Sequence, residues 1–285
     1  VATESAKDLT TDKIIKLMVG RDLTNRFPPK TNVPGEVMME VKNLTGKYMP
    51  SCVDVSFELH KGEILGVAGL VGSRRTELLE TIFGVAHKAS GEILMNGKPV
   101  NNKDSSVAIK NGFALLTEER RATGIFPVMN INFNSVIANL KAYKNGPLLS
   151  NLKMSKDTGW VIDSMRVKTP SQKTQIRTLS GGNQQKVVFA KLLNCDLKVL
   201  ILDEPTKGID VGAKYSIYEI MNELTANGYA IIMVSSEMPE VLGMADRIVV
   251  MRNGRVAGQF DTEGTTQEMI LEASLKQEDG RESES

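Results

Sequence analysis

Leu179-Ser180-Gly181-Gly182-Asn183-Gln184-Gln185-Lys186 sets a polar Ser-Gly-Gly turn directly before a helix-forming stretch. The backbone N–H groups of such a turn, and the helix end behind it, offer positive partial charge to an anion, which suits a nucleotide phosphate. Downstream, the apolar run Val199-Leu200-Ile201-Leu202 ends in Asp203 and Glu204. An uninterrupted apolar run of this length reads as a buried parallel strand, with both carboxylates at its carboxyl end, where open α/β sheets bind ligands. A third stretch, Gly69-Leu70-Val71-Gly72-Ser73-Arg74-Arg75-Thr76, follows the apolar strand Ile64 to Ala68 and precedes a helical pattern from Glu77 to Phe83. A Gly-rich turn between strand and helix can cradle a phosphate with its backbone. Taken singly, an ordinary βα turn and a solvated acidic pair remain open alternatives.

These groups need a scaffold, and the rest of the chain supplies its pattern. Val37 to Val41 and Val53 to Leu59 read as short strands, and Glu92 to Val100 holds Asn96-Gly97 between apolar flanks, a hairpin signal. Gly112 to Leu116 is a further strand. From about Asn130 to Thr178 the pattern is helical and amphipathic, with Trp160 inside it. A helix follows from Ala213 to Asn227, stopped by Asn227-Gly228. Then come strand Ala230 to Val234, a helix from about Pro239, strand Arg247 to Met251 and a turn at Asn253-Gly254. Strands alternating with helices around a phosphate loop predict a mostly parallel α/β core with antiparallel pieces beside it and an inserted helical subdomain. Residues 1–36 read as a lead-in: a short helix, Lys13 to Val19, capped by Thr11 or Asp12, then a Pro-rich linker from Phe27 to Gly35. The cassette spans 37–265, its helical subdomain about 118–180. Residues 266–285 are a C-terminal helix and a polar tail, Lys276 to Ser285, expected to be disordered.

Composition narrows the class. The 285 residues include 35 basic and 34 acidic side chains, a net charge of +1, so no nucleic-acid partner is expected. Cys52 and Cys195 lie far apart beside apolar neighbours and read as free thiols of a reducing compartment. His60 and His87 have no metal-ligand spacing. No apolar run approaches the ~20 residues of a membrane span, and no signal peptide is visible. The chain begins at Val1 rather than Met, so a preceding segment is expected.

The turn at Leu179 to Lys186, paired with the carboxylates of Asp203 and Glu204, resembles the ATP-binding-cassette (ABC) ATPases. The resemblance covers about Val37 to Phe260. In that family the first stretch is the signature motif and the second is Walker B. The resemblance implies ATP and Mg²⁺ as cofactors. Asp203 would bind Mg²⁺ through water, Thr76 would hold it through its hydroxyl, and Glu204 would polarise the attacking water. Gly208-Ile209-Asp210 resembles the D-loop that crosses a cassette dimer. Tyr48 is the aromatic nearest to an adenine-stacking place, with an ordinary surface tyrosine as the alternative.

Four positions depart from the family pattern. In G-x-x-x-x-G-K-[ST], Arg74 stands where the second glycine belongs and Arg75 where the lysine belongs, while Gly69, Gly72 and Thr76 match. An arginine's planar fork is not a compact ammonium, so the exchange is not conservative, and losing the glycine restricts the backbone. Glu118 takes the place of the family's glutamine. Ser236 takes the place of its histidine and brings no charge at pH 7. A positioned acid/base contributes ~10²–10⁴-fold and a charge stabiliser ~10²–10³-fold. The chain's own phosphate site is therefore expected to be slow.

A full signature beside a damaged phosphate loop resembles the second, C-terminal cassette of the simple-sugar importer ATPases. Ser235-Ser236-Glu237-Met238-Pro239-Glu240 and Thr117-Glu118-Glu119-Arg120-Arg121 support it. Asn25-Arg26-Phe27-Pro28, Phe133-Asn134-Ser135 and Val161 to Pro170 resemble the branch importing galactose or methylgalactoside. That resemblance implies a preceding N-terminal cassette in the same polypeptide, whose ATP Ser180, Gly181 and Gly182 would close over. It also implies permease subunits contacted around Asn130 to Ser150, indirectly a periplasmic or lipid-anchored sugar-binding protein, and a place at the cytoplasmic face of the membrane. The alternatives are a regulatory nucleotide-binding module without hydrolysis and an ABC ATPase of DNA repair or translation. The latter would carry heptads or a basic patch that this sequence lacks.

Overall fold

The computed structural model describes residues 26–275. The expected helix at Lys13 to Val19 and the tail from Lys276 lie outside the described residues. The centre is a six-stranded sheet built from β3 (Ile64–Ala68), β6 (Phe113–Leu116), β9 (Val199–Asp203), β10 (Ala230–Val234), β11 (Arg247–Arg252) and β12 (Arg255–Asp261). Its order is β12-β11-β3-β10-β9-β6, parallel throughout except for the antiparallel edge strand β12. Every residue of β3, β9 and β10 is buried. Their apolar runs have no polar face because both faces are covered.

The two faces are read by alternation along each strand. Leu200 and Leu202, with Ile231 and Met233, join one apolar cluster with Phe189, Ile217 and Met221. Val199 and Ile201, with Ile232 and Val234, join the other, with Leu78, Leu79 and Ile82. The first face is covered by α5 (Gly181–Leu193), α6 (Val211–Ala226) and α7 (Met238–Met244). The second is covered by α1 (Arg75–Phe83) and a four-stranded antiparallel sheet, β2-β1-β4-β5. That sheet comprises β1 (Val37–Gly46), β2 (Val55–His60), β4 (Lys88–Met95) and β5 (Lys98–Val100), with the expected Asn96-Gly97 turn between the last two. Also present are α2 (Ser105–Lys110) and, past β12, α8 (Gln267–Leu275).

The stretch read as uniformly helical from Asn130 to Thr178 is broken. It holds α3 (Ile131–Val136), a hairpin of β7 (Lys144–Asn145) and β8 (Leu148–Leu149), and α4 (Asn151–Ser164). Gly146-Pro147 forces the break: proline cannot supply a helical N–H, and Gly146 takes φ +62°. The Pro-rich segment read as a linker is docked rather than free along its described part. Phe27 packs 5.3 Å from the Tyr218 ring. A Cβ on Gly243 would fall 2.3 Å from Phe27, so only glycine admits that contact. Asn32 Nδ2 donates to Asp246 at 2.8 Å and Asn222 Nδ2 to the Pro29 carbonyl at 3.1 Å.

α7 rests directly on β3. A Cβ on Gly66 would lie 2.7 Å from Val241 Cγ1 and 2.8 Å from Ala245 Cβ. This places the fully buried Glu240 carboxylate between elements. It accepts from Thr206 Oγ1 at 2.8 and 2.7 Å, Tyr218 OH at 2.6 Å, Ser235 Oγ at 2.9 Å and Lys214 Nζ at 2.8 Å. Burial alone would push this carboxyl up; the hydrogen bonds, led by Lys214 and Tyr218, outweigh burial and hold it below its ordinary value. A depressed carboxyl stabilises the fold above its unfolded value of ~4.3 and loses that contribution as pH falls through the folded value. Glu240→Ala is expected to cost about 3 kcal/mol at pH 7, because it strands a partly buried ammonium. Urea unfolding should show the gap between wild type and variant narrowing below about pH 4.

Candidate functional site

The phosphate loop leaves β3 at Gly69, whose added Cβ would sit 2.4 Å from the Met251 carbonyl oxygen and 2.6 Å from Ser73 Oγ. The loop turns tightly: Ser73 N donates to Leu70 O at 3.0 Å, and Gly254 N donates to Ser73 O at 3.1 Å. Leu70 and Val71 are exposed, Val71 almost completely, and Gly72 has φ +85° with open space around it. Arg74 adopts the left-handed conformation, φ 72° and ψ 34°, at the N-cap of α1. The loop has thus kept the conformation a glycine would take and imposed it on an arginine, at about 1–2 kcal/mol. The Arg74 guanidinium is held by Glu77 at 2.9 Å. Arg75 extends across the loop, donating from Nη1 to the Ser235 carbonyl at 3.2 Å.

Thr76 donates to Asp203 Oδ2 at 2.8 Å, joining the first turn of α1 to the end of β9. Asp203 is 3% exposed, and its Oδ1 has no hydrogen-bond partner. Burial pushes this carboxyl up to about 6; the Thr76 hydroxyl opposes the shift, and Glu118 adds to it. Glu204 turns the chain with φ 51° and anchors its N–H on the Val234 carbonyl at 3.0 Å. Ser236 Oγ donates to Glu204 Oε2 at 3.1 Å. Burial raises the Glu204 carboxyl as well, and the Ser236 bond acts against it. Glu118, just past β6, is ion-paired to Lys207. The structure therefore brings Thr76, Arg75, Asp203, Glu204, Ser236 and Glu118 into one region at the carboxyl ends of the parallel strands.

The buried, unpartnered Asp203 Oδ1 beside the Thr76 hydroxyl fits a hydrated divalent cation, whose waters would supply the missing donor. Ser73 Oγ, also buried without a partner, faces the same loop. On the phosphate side the fit is altered, since Arg75 is engaged with Ser235.

The signature turn stands apart. Ser180 occupies the N-cap position of α5 and is exposed. Its Oγ accepts from Asn183 Nδ2 at 2.9 Å rather than from the helix backbone. A Cβ on Gly181 would lie 3.1 Å from the Gly208 carbonyl, and one on Gly182 would lie 2.4 Å from Ala213 Cβ. Both glycines let the first turn of α5 lie against the 208–213 segment, where Asp210 caps α6 by accepting from Ala213 N at 3.0 Å. Among the described residues no hydrogen bond joins Ser180, Gly181 or Gly182 to the loop at 69–76. Tyr48 is 68% exposed, with Lys47 Nζ 5.4 Å from its ring centroid.

Residues to which the sequence reading gave no role tie these parts together. Arg120 donates to Gln184 Oε1 at 3.3 Å and Gln185 Oε1 at 3.2 Å, and Gln185 Nε2 donates to the Pro205 carbonyl at 2.7 Å. Their only sequence signal was their place inside motifs already noted. Cys52 is buried and Cys195 half-buried, both as free thiols. His60 is 2.9 Å from Glu63, which Arg247 also binds at 2.7 Å.

Because the raised Asp203 carboxyl must ionise while buried, it destabilises the cation-free chain above pH 6, and the penalty fades as pH falls toward ~3.9, its unfolded value. Asp203→Asn is expected to raise stability by about 3 kcal/mol at pH 7.5 and by little at pH 4, read by urea unfolding without divalent cations.

The ABC transporter family model matches residues 52–207. The galactose/methyl galactoside import ATP-binding protein MglA of Fusobacterium nucleatum is 59% identical over 277 residues, 97% of this chain and 55% of that protein. Its namesake in Escherichia coli K12 is 58% identical over 272 residues, 95% of this chain and 54% of that protein. The chain spans about half the length of these curated relatives. Among solved structures, an ATP-binding cassette of an ABC transporter superposes with a TM-score of 0.70 at 19% identity, covering 84% of this chain and 95% of that one. An ATP-binding subunit of an ABC transporter gives 0.68 at 22% identity, covering 84% and 100%. These two carry the fold, and the family model carries the membership: the chain belongs to the ABC transporter family, as an ATP-binding cassette.

Proposed function

We propose that this chain is the second, degenerate cassette of an ATPase that energises import of galactose or methyl galactoside. The two curated relatives named above are import proteins of that kind, and each is nearly twice as long as this chain. The observation that carries the asymmetric reading is the contrast between two parts of one chain. Ser180 is exposed at the start of α5, and among the described residues no hydrogen bond ties Ser180, Gly181 or Gly182 to the loop at 69–76. The loop itself carries Arg74 in a left-handed conformation and Arg75 bound to Ser235.

In this reading Ser180, Gly181 and Gly182 close over the triphosphate held by an N-terminal cassette of the same polypeptide, and Asp210 lies at the seam. In the chain's own site, residues Gly69 to Thr76 enclose the phosphates, and Thr76 with Asp203 would hold Mg²⁺. When bound, Mg²⁺ neutralises phosphate charge and orients the terminal phosphoryl group. Glu204 is the base facing the attacking water, with its carboxylate fixed by Ser236. Glu118, in the glutamine's place, stays with Lys207. Ser236 cannot supply the positive charge that stabilises a phosphoryl transition state, a loss of about 10²–10³-fold. Nucleotide held here turns over slowly, and coupled losses need not multiply. Permease subunits, and through them a sugar-binding protein outside the membrane, complete the machine at its cytoplasmic face.

The chain by itself is expected to hydrolyse ATP negligibly in a phosphate-release assay; a turnover near ~1 s⁻¹, ordinary for an enzyme, would contradict the asymmetry. In the two-cassette polypeptide, Ser180→Arg should abolish hydrolysis, although the ATP attacked there sits on the other half. Unchanged turnover in that variant would remove the composite role. Glu204→Gln in the same polypeptide separates this reading from a purely regulatory module, for which that substitution would leave the kinetics untouched.

A further inference from the structure

The hairpin β7–β8 and the helix it leads into present a surface that nucleotide chemistry does not use. In the hairpin Lys144 pairs with Leu149 and Asn145 with Leu148. Directly opposed residues project to one face, so Lys144 and Leu149 stand together, and Asn145 and Leu148 stand on the other face. The hairpin is firmly held. Ser150 N donates to the Tyr143 carbonyl at 2.8 Å, and the Tyr143 ring is buried with Val136 and Met154. Ser150 Oγ then caps α4 by accepting from Lys153 N at 3.3 Å.

Along α4, Met154, Thr158 and Val161 are buried. Leu152, Lys156 and Trp160 recur at i, i+4 and i+8 on the opposite side. Leu148 is 73% exposed, Leu152 82% and Trp160 59%. Large apolar side chains exposed within one short stretch, residues 148–160, mark an interaction surface rather than scattered surface residues. The charge around them is one-sided: residues 127–156 contain Lys141, Lys144, Lys153 and Lys156 and no acidic residue, in a chain whose net charge is only +1. All four lysines are exposed. The nearest acids on α4 are Asp157, which hydrogen-bonds Tyr143, and Asp163, toward the far end of the helix.

We propose that this hairpin and the outer side of α4 contact an anionic lipid surface, with the lysines on phospholipid headgroups and the leucines and Trp160 entering the interfacial layer. The mixture selects the occupant. The centre of a protein interface excludes lysine. A membrane interface welcomes lysine beside leucine, because the ammonium reaches the headgroups while its stem lies along apolar groups. Tryptophan prefers that same layer. The contact needs neither nucleotide nor a permease, so it stands or falls separately from the transport reading.

Trp160 is the one tryptophan of the chain, and its emission reports the contact directly. The whole chain is mixed with phosphatidylcholine vesicles with or without about one-third phosphatidylglycerol. The expected result is a blue shift, and protection from an aqueous quencher, on the anionic vesicles only, reversed by high salt. Replacing the four lysines by glutamine should lower partitioning well over tenfold, at about fivefold per lysine. The double variant Leu148→Ser, Leu152→Ser should keep the native circular dichroism and lose the blue shift. No shift on anionic vesicles, an equal shift on neutral ones, or a shift that survives loss of all four lysines overturns the proposal. So does a shift that appears only when a permease is reconstituted, which would assign the surface to a protein.

Discussion

One buried negative charge holds the segments at the carboxyl ends of the parallel strands in register. Glu240 has no water to satisfy it, so its hydrogen bonds come from protein, and its donors belong to segments that chemistry needs aligned. Thr206 follows the Asp203-Glu204 pair, Ser235 precedes Ser236, and Lys214 and Tyr218 come from the helix that Asp210 caps. A displaced turn at 204–206 would leave the carboxylate short of a donor, and a displaced turn at 235–236 would do the same. The contact between Ser236 and Glu204, and that between Arg75 and Ser235, are therefore consequences of where α7 sits on Gly66.

The phosphate loop shows packing overriding local preference. β3 is wholly buried, and α1 is fixed by Leu78, Leu79 and Ile82, so the path between them is set from both ends. The chain must pass through a left-handed residue at 74 whatever its side chain, and Arg74 accepts the strain. The turn keeps the path a glycine would take, and beside it the Arg75 guanidinium reaches the Ser235 carbonyl.

Much of this was legible beforehand, for identifiable reasons. The central strands announce themselves because burial on both faces demands unbroken apolar runs: Ile64 to Ala68 and Ala230 to Val234 match the observed bounds. Asn96-Gly97 marked its turn because both positions need positive φ, 49° and 73° here. The motif residues were visible because glycines and paired carboxylates are rare in such settings. The edge strand Arg255–Asp261 was missed, since its alternating half-burial gives a weak signal. The hairpin at 144–149 was read as helix because it is only two residues deep on each side. Glu240 carried no mark of its importance: a glutamate early in a short helix looks like any solvated one until tertiary contacts surround it.

The docked segment at 27–32 has a mechanical meaning. Phe27 presses on Gly243 in α7 and on the ring of Tyr218, whose hydroxyl reaches Glu240, while Asn32 and Lys30 grip Asp246 just beyond that helix. Tension along this strap would bear directly on the helix that seats the buried charge and on the helix that carries Tyr218. A stretch that looks like a spacer in the sequence is thus mechanically joined to the seat of Glu240.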